Sequence, residues 1–238
     1  MLWLLGCGGK LLTPVTGVAD VQLPEGDVER GRYLGEELLR CDVCHAADLG
    51  GRMMVDGFPM GRIVAPDLTG GIAPSVVALA VREGISSSGT PTVMMPATYA
   101  ALSDQELADL TAWMAALPAV ERELPSVQEL GPVSAMLLKK GAWAFGPHAR
   151  RDVADEGERL AGLACAGCHG EGLHGHSMGP EGYASDLTVL DGWSRADFIG
   201  AVVGGVAPGG RALSEVMPRF DGLAEEDLER ISAYVLSL

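Results

Sequence analysis

Two stretches of the chain repeat one pattern of apolar positions. Leu107, Leu110, Met114 and Leu117 fall at steps of three, four and three, and Leu228, Ile231, Val235 and Leu238 repeat those steps. Such spacing turns one apolar stripe toward a core and predicts an amphipathic helix at each place. Ser103-Asp104-Gln105-Glu106 reads as a capping box for the first helix. Ala224 stands where the second would have its cap serine, but Glu225, Glu226 and Asp227 suit a helix N-terminus electrostatically. Upstream, Gly31-Arg32-Tyr33-Leu34 and Gly157-Glu158-Arg159-Leu160 are short amphipathic stretches, and Asp67-Leu68-Thr69 is matched by Asp186-Leu187-Thr188. Helical segments are expected to end near Gly84 and Gly205, followed by Met95-Pro96 and Met217-Pro218. The same order occurs twice, which reads as a tandem duplication. The expected division is a segment 1–24, a domain 25–120, a linker 121–151 and a domain 152–238. The linker holds Pro125, Pro132 and Pro147 and an apolar patch, Met136-Leu137-Leu138 with Trp143 and Phe145, so it is expected to lie against a domain surface.

Composition fits that division. A chain of 238 residues suits two domains of about 100 residues better than one large core. With 33 Gly, 14 Pro and only 5% aromatics, short helices joined by irregular loops are expected. A cofactor could fill the core that aromatic side chains usually fill. The net charge of −15 argues against nucleic acid and anionic lipid, and suits steering toward a basic patch on a partner protein. No stretch approaches the ~18 apolar residues that a membrane-spanning helix needs.

The cysteines add the chemistry. Four of the five form Cys41-Asp42-Val43-Cys44-His45 and Cys165-Ala166-Gly167-Cys168-His169, and Cys-x-x-Cys-His is the attachment signature of c-type haem. Two thiols one helical turn apart reach the two vinyl groups on one porphyrin edge, and the adjacent His then lies under the ring with its imidazole on the iron. A zinc site would also use Cys and His, and a redox dithiol would precede a helix in a strand–helix pattern; neither motif has that setting. Two covalently bound haem c groups are therefore expected, with His45 and His169 on the irons.

Methionine is the usual second ligand in electron-carrying cytochromes. Of ten methionines only Met95 and Met217 recur in register, 50 and 48 residues after their histidines, each followed by Pro. Both are candidate iron ligands. Met94 competes with Met95, which alone has the Pro in register. His148, His174 and His176 could each give a bis-His site, and the last two read as exposed loop residues.

Each half resembles a class I cytochrome c domain. The resemblance implies an all-α fold, with a few short helices of each tandem domain wrapped around one covalent haem. It also implies that a proline carbonyl accepts from the proximal imidazole, a role that falls to Pro66 in Ala65-Pro66-Asp67-Leu68; Ser185 stands at that place in the second half. The terminal-helix aromatic corresponds to Trp113 and Tyr234, expected to pack near Gly31 and Gly157. A narrower resemblance, mainly in the first half, is to the multihaem cytochrome subunits of membrane-bound alcohol, aldehyde and gluconate dehydrogenases.

An electron carrier or electron-transfer subunit of a respiratory or dehydrogenase chain is thus expected, not an enzyme in its own right. Its partner would be a dehydrogenase or oxidase. The alternatives, a dihaem peroxidase-like enzyme or a haem-based redox sensor, need an iron with an open or labile site. Thioether attachment occurs outside the bacterial cytoplasm, which implies export to the periplasm. Leu4-Leu5-Gly6-Cys7 resembles a lipoprotein cleavage box, so a lipid anchor at Cys7 is the expected membrane contact.

Overall fold

The computed structural model describes residues 12–15, 22–125, 128–177 and 182–238. Cys7, and with it the expected anchor, lies outside the described residues. The frame is helical, in the order α1 (Val28–Arg32), α2 (Cys41–His45), α3 (Pro74–Ala78), α4 (Asp104–Ala116), α5 (Pro132–Lys139), α6 (Glu156–His169), α7 (Arg195–Gly204) and α8 (Glu225–Val235). The chain is not all-α, which corrects the expectation. Strands β1 (Arg52–Gly57) and β2 (Gly61–Ala65) form a hairpin joined by β3 (Glu129–Leu130). Two-residue pairs, β4 (His176–Ser177) with β5 (Tyr183–Ala184) and β6 (Val206–Ala207) with β7 (Arg211–Ala212), complete the strands among the described residues. The hairpin evades a period-two reading because its register shifts between Met53 and Val55, so the alternation of faces breaks midway.

The closing helices are α4 and α8. Ser103 caps α4 with both capping-box hydrogen bonds in place, whereas α8 starts at Ala224 with no side-chain cap. Each buries its stripe: Leu107, Leu110 and Met114 in α4, and Leu228, Ile231 and Val235 in α8. Gly84 and Gly205 end the preceding helical segments in the left-handed conformation, with φ of 65° and 71°. Glycine adopts that conformation without a Cβ clash, so both ends fall where glycine stands.

The helices before the two motifs differ for a countable reason. Gly31 and Cys41 are ten residues apart, Gly157 and Cys165 only eight. In the second half the stretch is one continuous helix, α6. In the first half the surplus is absorbed by a π-helical stretch, Tyr33–Leu38, and by Arg40 in a left-handed conformation (φ 49°, ψ 54°) just before α2. Upstream of this adjustment the halves superpose in contact. A methyl group added at Gly31 would come within 2.8 Å of the Trp113 Cβ, and one at Gly157 within 3.0 Å of the Tyr234 Cβ. We expect Gly31→Ala to cost about 2 kcal/mol of unfolding free energy, since overpacking a tight contact costs roughly 1–3 kcal/mol. Gly162→Ala, where the nearest atoms of Thr98 lie at 3.7 Å, should be neutral or slightly stabilising. Urea midpoints of the two variants decide it, and equal midpoints would refute the packing argument.

One apolar cluster runs through both halves, joining Leu34, Leu38, Leu110 and Trp113 to Leu160, Leu163, Ile231 and Val235. The contact between halves is nearly self-complementary. The Tyr33 hydroxyl donates to Asp227 at 2.5 Å, and Arg159 donates to Glu106 at 3.0 Å. Tyr33 and Arg159 each stand two residues after the glycines just described, and Asp227 and Glu106 are each the third residue of a closing helix. Segment 121–151 runs along the first half: β3 extends the hairpin, α5 follows, and Val93 bridges to Phe145.

Candidate functional site

Cys41, Cys44 and His45 share the five-residue helix α2; Cys165, Cys168 and His169 occupy the last turn of α6. None of the four cysteines is in a disulfide. Burial pushes the Cys41 and Cys165 thiols up to about 12, the neighbouring cysteine of each pair adding to it. Both are therefore thiols at neutral pH.

Each imidazole is fixed the same way. His45 Nδ1 is 2.7 Å from the Pro66 carbonyl, and His169 Nδ1 is 2.7 Å from the Ser185 carbonyl. A carbonyl only accepts, so Nδ1 carries the proton and Nε2 keeps its lone pair. Burial holds both rings below the ordinary histidine pKa, against the opposing pull of the carbonyl. A neutral imidazole with Nε2 available and Nδ1–H engaged is what an iron ligand requires.

The loop that presents those carbonyls is built identically in both halves. The His45 carbonyl accepts from Gly51 N–H at 2.9 Å, as the His169 carbonyl does from Gly175. Leu68 N–H donates to Leu49, and Leu187 N–H to Leu173. Asp67 accepts from the N–H and hydroxyl of Thr69, as Asp186 does from Thr188. The second half needs no proline because the acceptor is main chain. Ser185 thus fills the place its position before Asp186-Leu187-Thr188 gave it, through its carbonyl and not its side chain.

The methionine loops lie beside the motifs. Tyr99, four residues after Met95, donates its hydroxyl to the Leu39 carbonyl at 3.0 Å, two residues before Cys41. Burial, with Cys41, Cys44 and Cys168 nearby, holds its phenol well above the ordinary tyrosine value. Pro96 lies against α6, where a methyl at Gly167 would come within 3.2 Å of its Cγ. Arg40 donates to the Arg219 carbonyl, tying the first motif to the second methionine loop. Met95 is half-buried and Met217 packs on the core cluster; Met94 takes an uncommon positive φ of 66°. The three remaining histidines lie apart from these loops or beside them. His174 is exposed, His176 Nδ1 is 2.8 Å from the Cys168 carbonyl, and His148 lies beside the Met95 main chain.

The donor set fits a c-type haem in each half: two thiols one turn apart, an adjacent oriented imidazole and a loop methionine. Among the described residues no other cluster of His, Cys, Asp or Glu could hold a metal ion, and no helix is long and apolar enough to cross a membrane.

Comparison with known proteins reaches only part of the chain. No curated protein matches it. Among solved structures, the Kuenenia stuttgartiensis reducing HAO-like protein complex Kustc0457/Kustc0458 aligns at 16% identity over 91% of this chain and 99% of that one, with a TM-score of 0.25. That likeness is too distant to bear on fold or function. Residues 152–235 match the family model of cytochrome c oxidase, cbb3-type, subunit III. The match covers the half that carries Cys165-Ala166-Gly167-Cys168-His169 and supports a c-type cytochrome domain there, with haem-based electron transfer as its function.

Proposed function

We propose that the chain is a dihaem c-type cytochrome that accepts and donates single electrons. The observation that carries this reading is the recurrence, in both halves, of a Cys-x-x-Cys-His motif whose imidazole is oriented by a main-chain carbonyl at 2.7 Å. Cys41, Cys44 and His45 would hold one haem and Cys165, Cys168 and His169 the other, with Met95 and Met217 as second axial ligands. Haem c supplies a one-electron iron couple. The protein's own part is to fix both ligands and leave no position for substrate. Pro66 and Ser185 keep each imidazole aimed, burial keeps it neutral, and the Met-Pro loops would present the second ligands. Partners are redox proteins with a basic docking patch, a dehydrogenase or an oxidase, the latter the class named by the matching family model. The −15 charge supports electrostatic steering toward such a partner. Covalent haem attachment would call for export to the periplasm, and Cys7 would be the lipid anchor.

A pyridine haemochrome assay on the mature protein should give two haems per chain. Met95→Ala and Met217→Ala should each convert one iron to a high-spin form with a lower potential while the thioethers keep the haem attached. A stoichiometry of one would overturn the duplication. A response from Met94→Ala with none from Met95→Ala would reassign the ligand.

A further inference from the structure

The two methionine loops are closed by different side chains. In the second half, Arg219 lies against Gly205, where an added methyl would meet its Nη2 within 2.5 Å. Its Nη1 donates to the Met217 carbonyl at 2.8 Å. The loop is thus tied from its own sequence, two residues past the methionine. The first half has the same frame, since Thr92 N–H donates to the Gly84 carbonyl at 2.8 Å just as Leu213 N–H donates to Gly205. Two residues past Met95, however, stands Ala97, which has no side-chain donor.

The space over Gly84 is filled from elsewhere. A methyl added there would meet His148 Cδ2 within 2.6 Å and Nε2 within 2.8 Å. The His148 imidazole lies beside the Met95 main chain. The surrounding segment is held along the loop by Met94 N–H to the Ala144 carbonyl at 2.8 Å, Gly146 N–H to Thr92 at 3.0 Å and His148 N–H to Glu83 at 2.8 Å.

We propose that His148, brought in by segment 121–151, is the positioning residue for Met95 and takes the place that Arg219 holds for Met217. The inference rests on the His/Met ligation proposed above. Two further observations favour it. Met94 holds a left-handed conformation that a residue other than glycine keeps only where neighbours fix it. His148 Nε2 is buried with no hydrogen-bond partner, so it is packing over Gly84, not that nitrogen, that the ring supplies there.

The test uses the haem-loaded, full-length protein. In proton NMR of the reduced state, the side chain of a ligating methionine is shifted far upfield by the haem ring current, giving one set of signals per haem. Met95→Ala identifies the first set. His148→Ala is expected to shift or broaden that set alone, and Arg219→Ala the other alone. In the oxidised state, imidazole should displace the methionine of one haem in His148→Ala roughly five- to tenfold faster, the worth of one polar contact. Adding Ala97→Arg to His148→Ala should restore the wild-type signals and rate. His148→Gln keeps an N–H donor and should stay close to wild type, which preserves the test if the alanine variant folds poorly. Wild-type signals and kinetics in His148→Ala would overturn the inference. Absence of both upfield sets from the wild-type protein would instead overturn the ligation on which it rests.

Discussion

Changing Cys41 and Cys44 together to alanine is expected to unfold the first half and to lower the melting midpoint of the second by roughly 12 °C or more. The first part follows from the core. Each half is small and poor in aromatics, so without its haem it lacks the buried surface that a stable domain needs, and cofactor binding is folding energy. The second part follows from the interface. Asp227 at the start of α8 loses the Tyr33 hydroxyl, and Arg159 of α6 loses Glu106. Hydrogen bonds to charged groups contribute about 1.5–3 kcal/mol each when well buried; Arg159 and Glu106 are 15% and 12% exposed, so the pair sits near that condition. A domain of this size shifts its midpoint by roughly 4–8 °C per kcal/mol. From the sequence, two independent domains would leave the second half untouched. Calorimetry with limited proteolysis separates the outcomes, and a second half that melts at its wild-type temperature would show that the interface contributes nothing.

What could be read in advance was whatever the side chains themselves dictate. The periodicity of Leu107 to Leu117 and of Leu228 to Leu238 located α4 and α8. Gly84 and Gly205 marked helix ends because a left-handed C-cap needs them. The Cys-x-x-Cys-His spacing placed both motifs on helices because only one helical turn brings the two thiols to one edge. Ser185 acts through its carbonyl, so only its place opposite Pro66 in the repeat marked it. What escaped was whatever a distant segment or a change of helix winding supplies. His148 is 53 residues from Met95 in sequence, and no local pattern links a proline-rich linker to a methionine loop. The π-helical stretch at Tyr33–Leu38 was present only as a difference of two residues between otherwise matching intervals.

Gly51→Val is expected to be among the most damaging single changes in the first half outside the motif itself, costing roughly 2–5 kcal/mol, with Gly175→Val its counterpart in the second. Gly51 has φ of 78° and Gly175 of 74°, a conformation that costs an L-residue roughly 1–2 kcal/mol and a β-branched one more. Space is the larger difficulty. A methyl at Gly51 would come within 2.6 Å of the Ala65 carbonyl and 2.7 Å of the Asp67 N–H; at Gly175 it would come within 2.7 Å of the Asp186 N–H. Those groups are main chain and flank the peptide whose carbonyl, Pro66 or Ser185, accepts from the motif histidine. They cannot swing aside like a flexible side chain, so relief must come from moving that carbonyl. The His45 ring would then lose both its orientation and the acceptor that keeps Nδ1 protonated. Gly71→Val separates the two causes. Its φ is 83° but nothing lies within 4 Å of an added methyl, so it bears the conformational cost alone. Urea midpoints with haem content per chain should rank wild type above Gly71→Val and Gly71→Val well above Gly51→Val, with incomplete haem attachment during maturation confined to the last. Equal midpoints and full haem content in both variants would mean that the loop yields elsewhere and that the carbonyl is not held by the glycine.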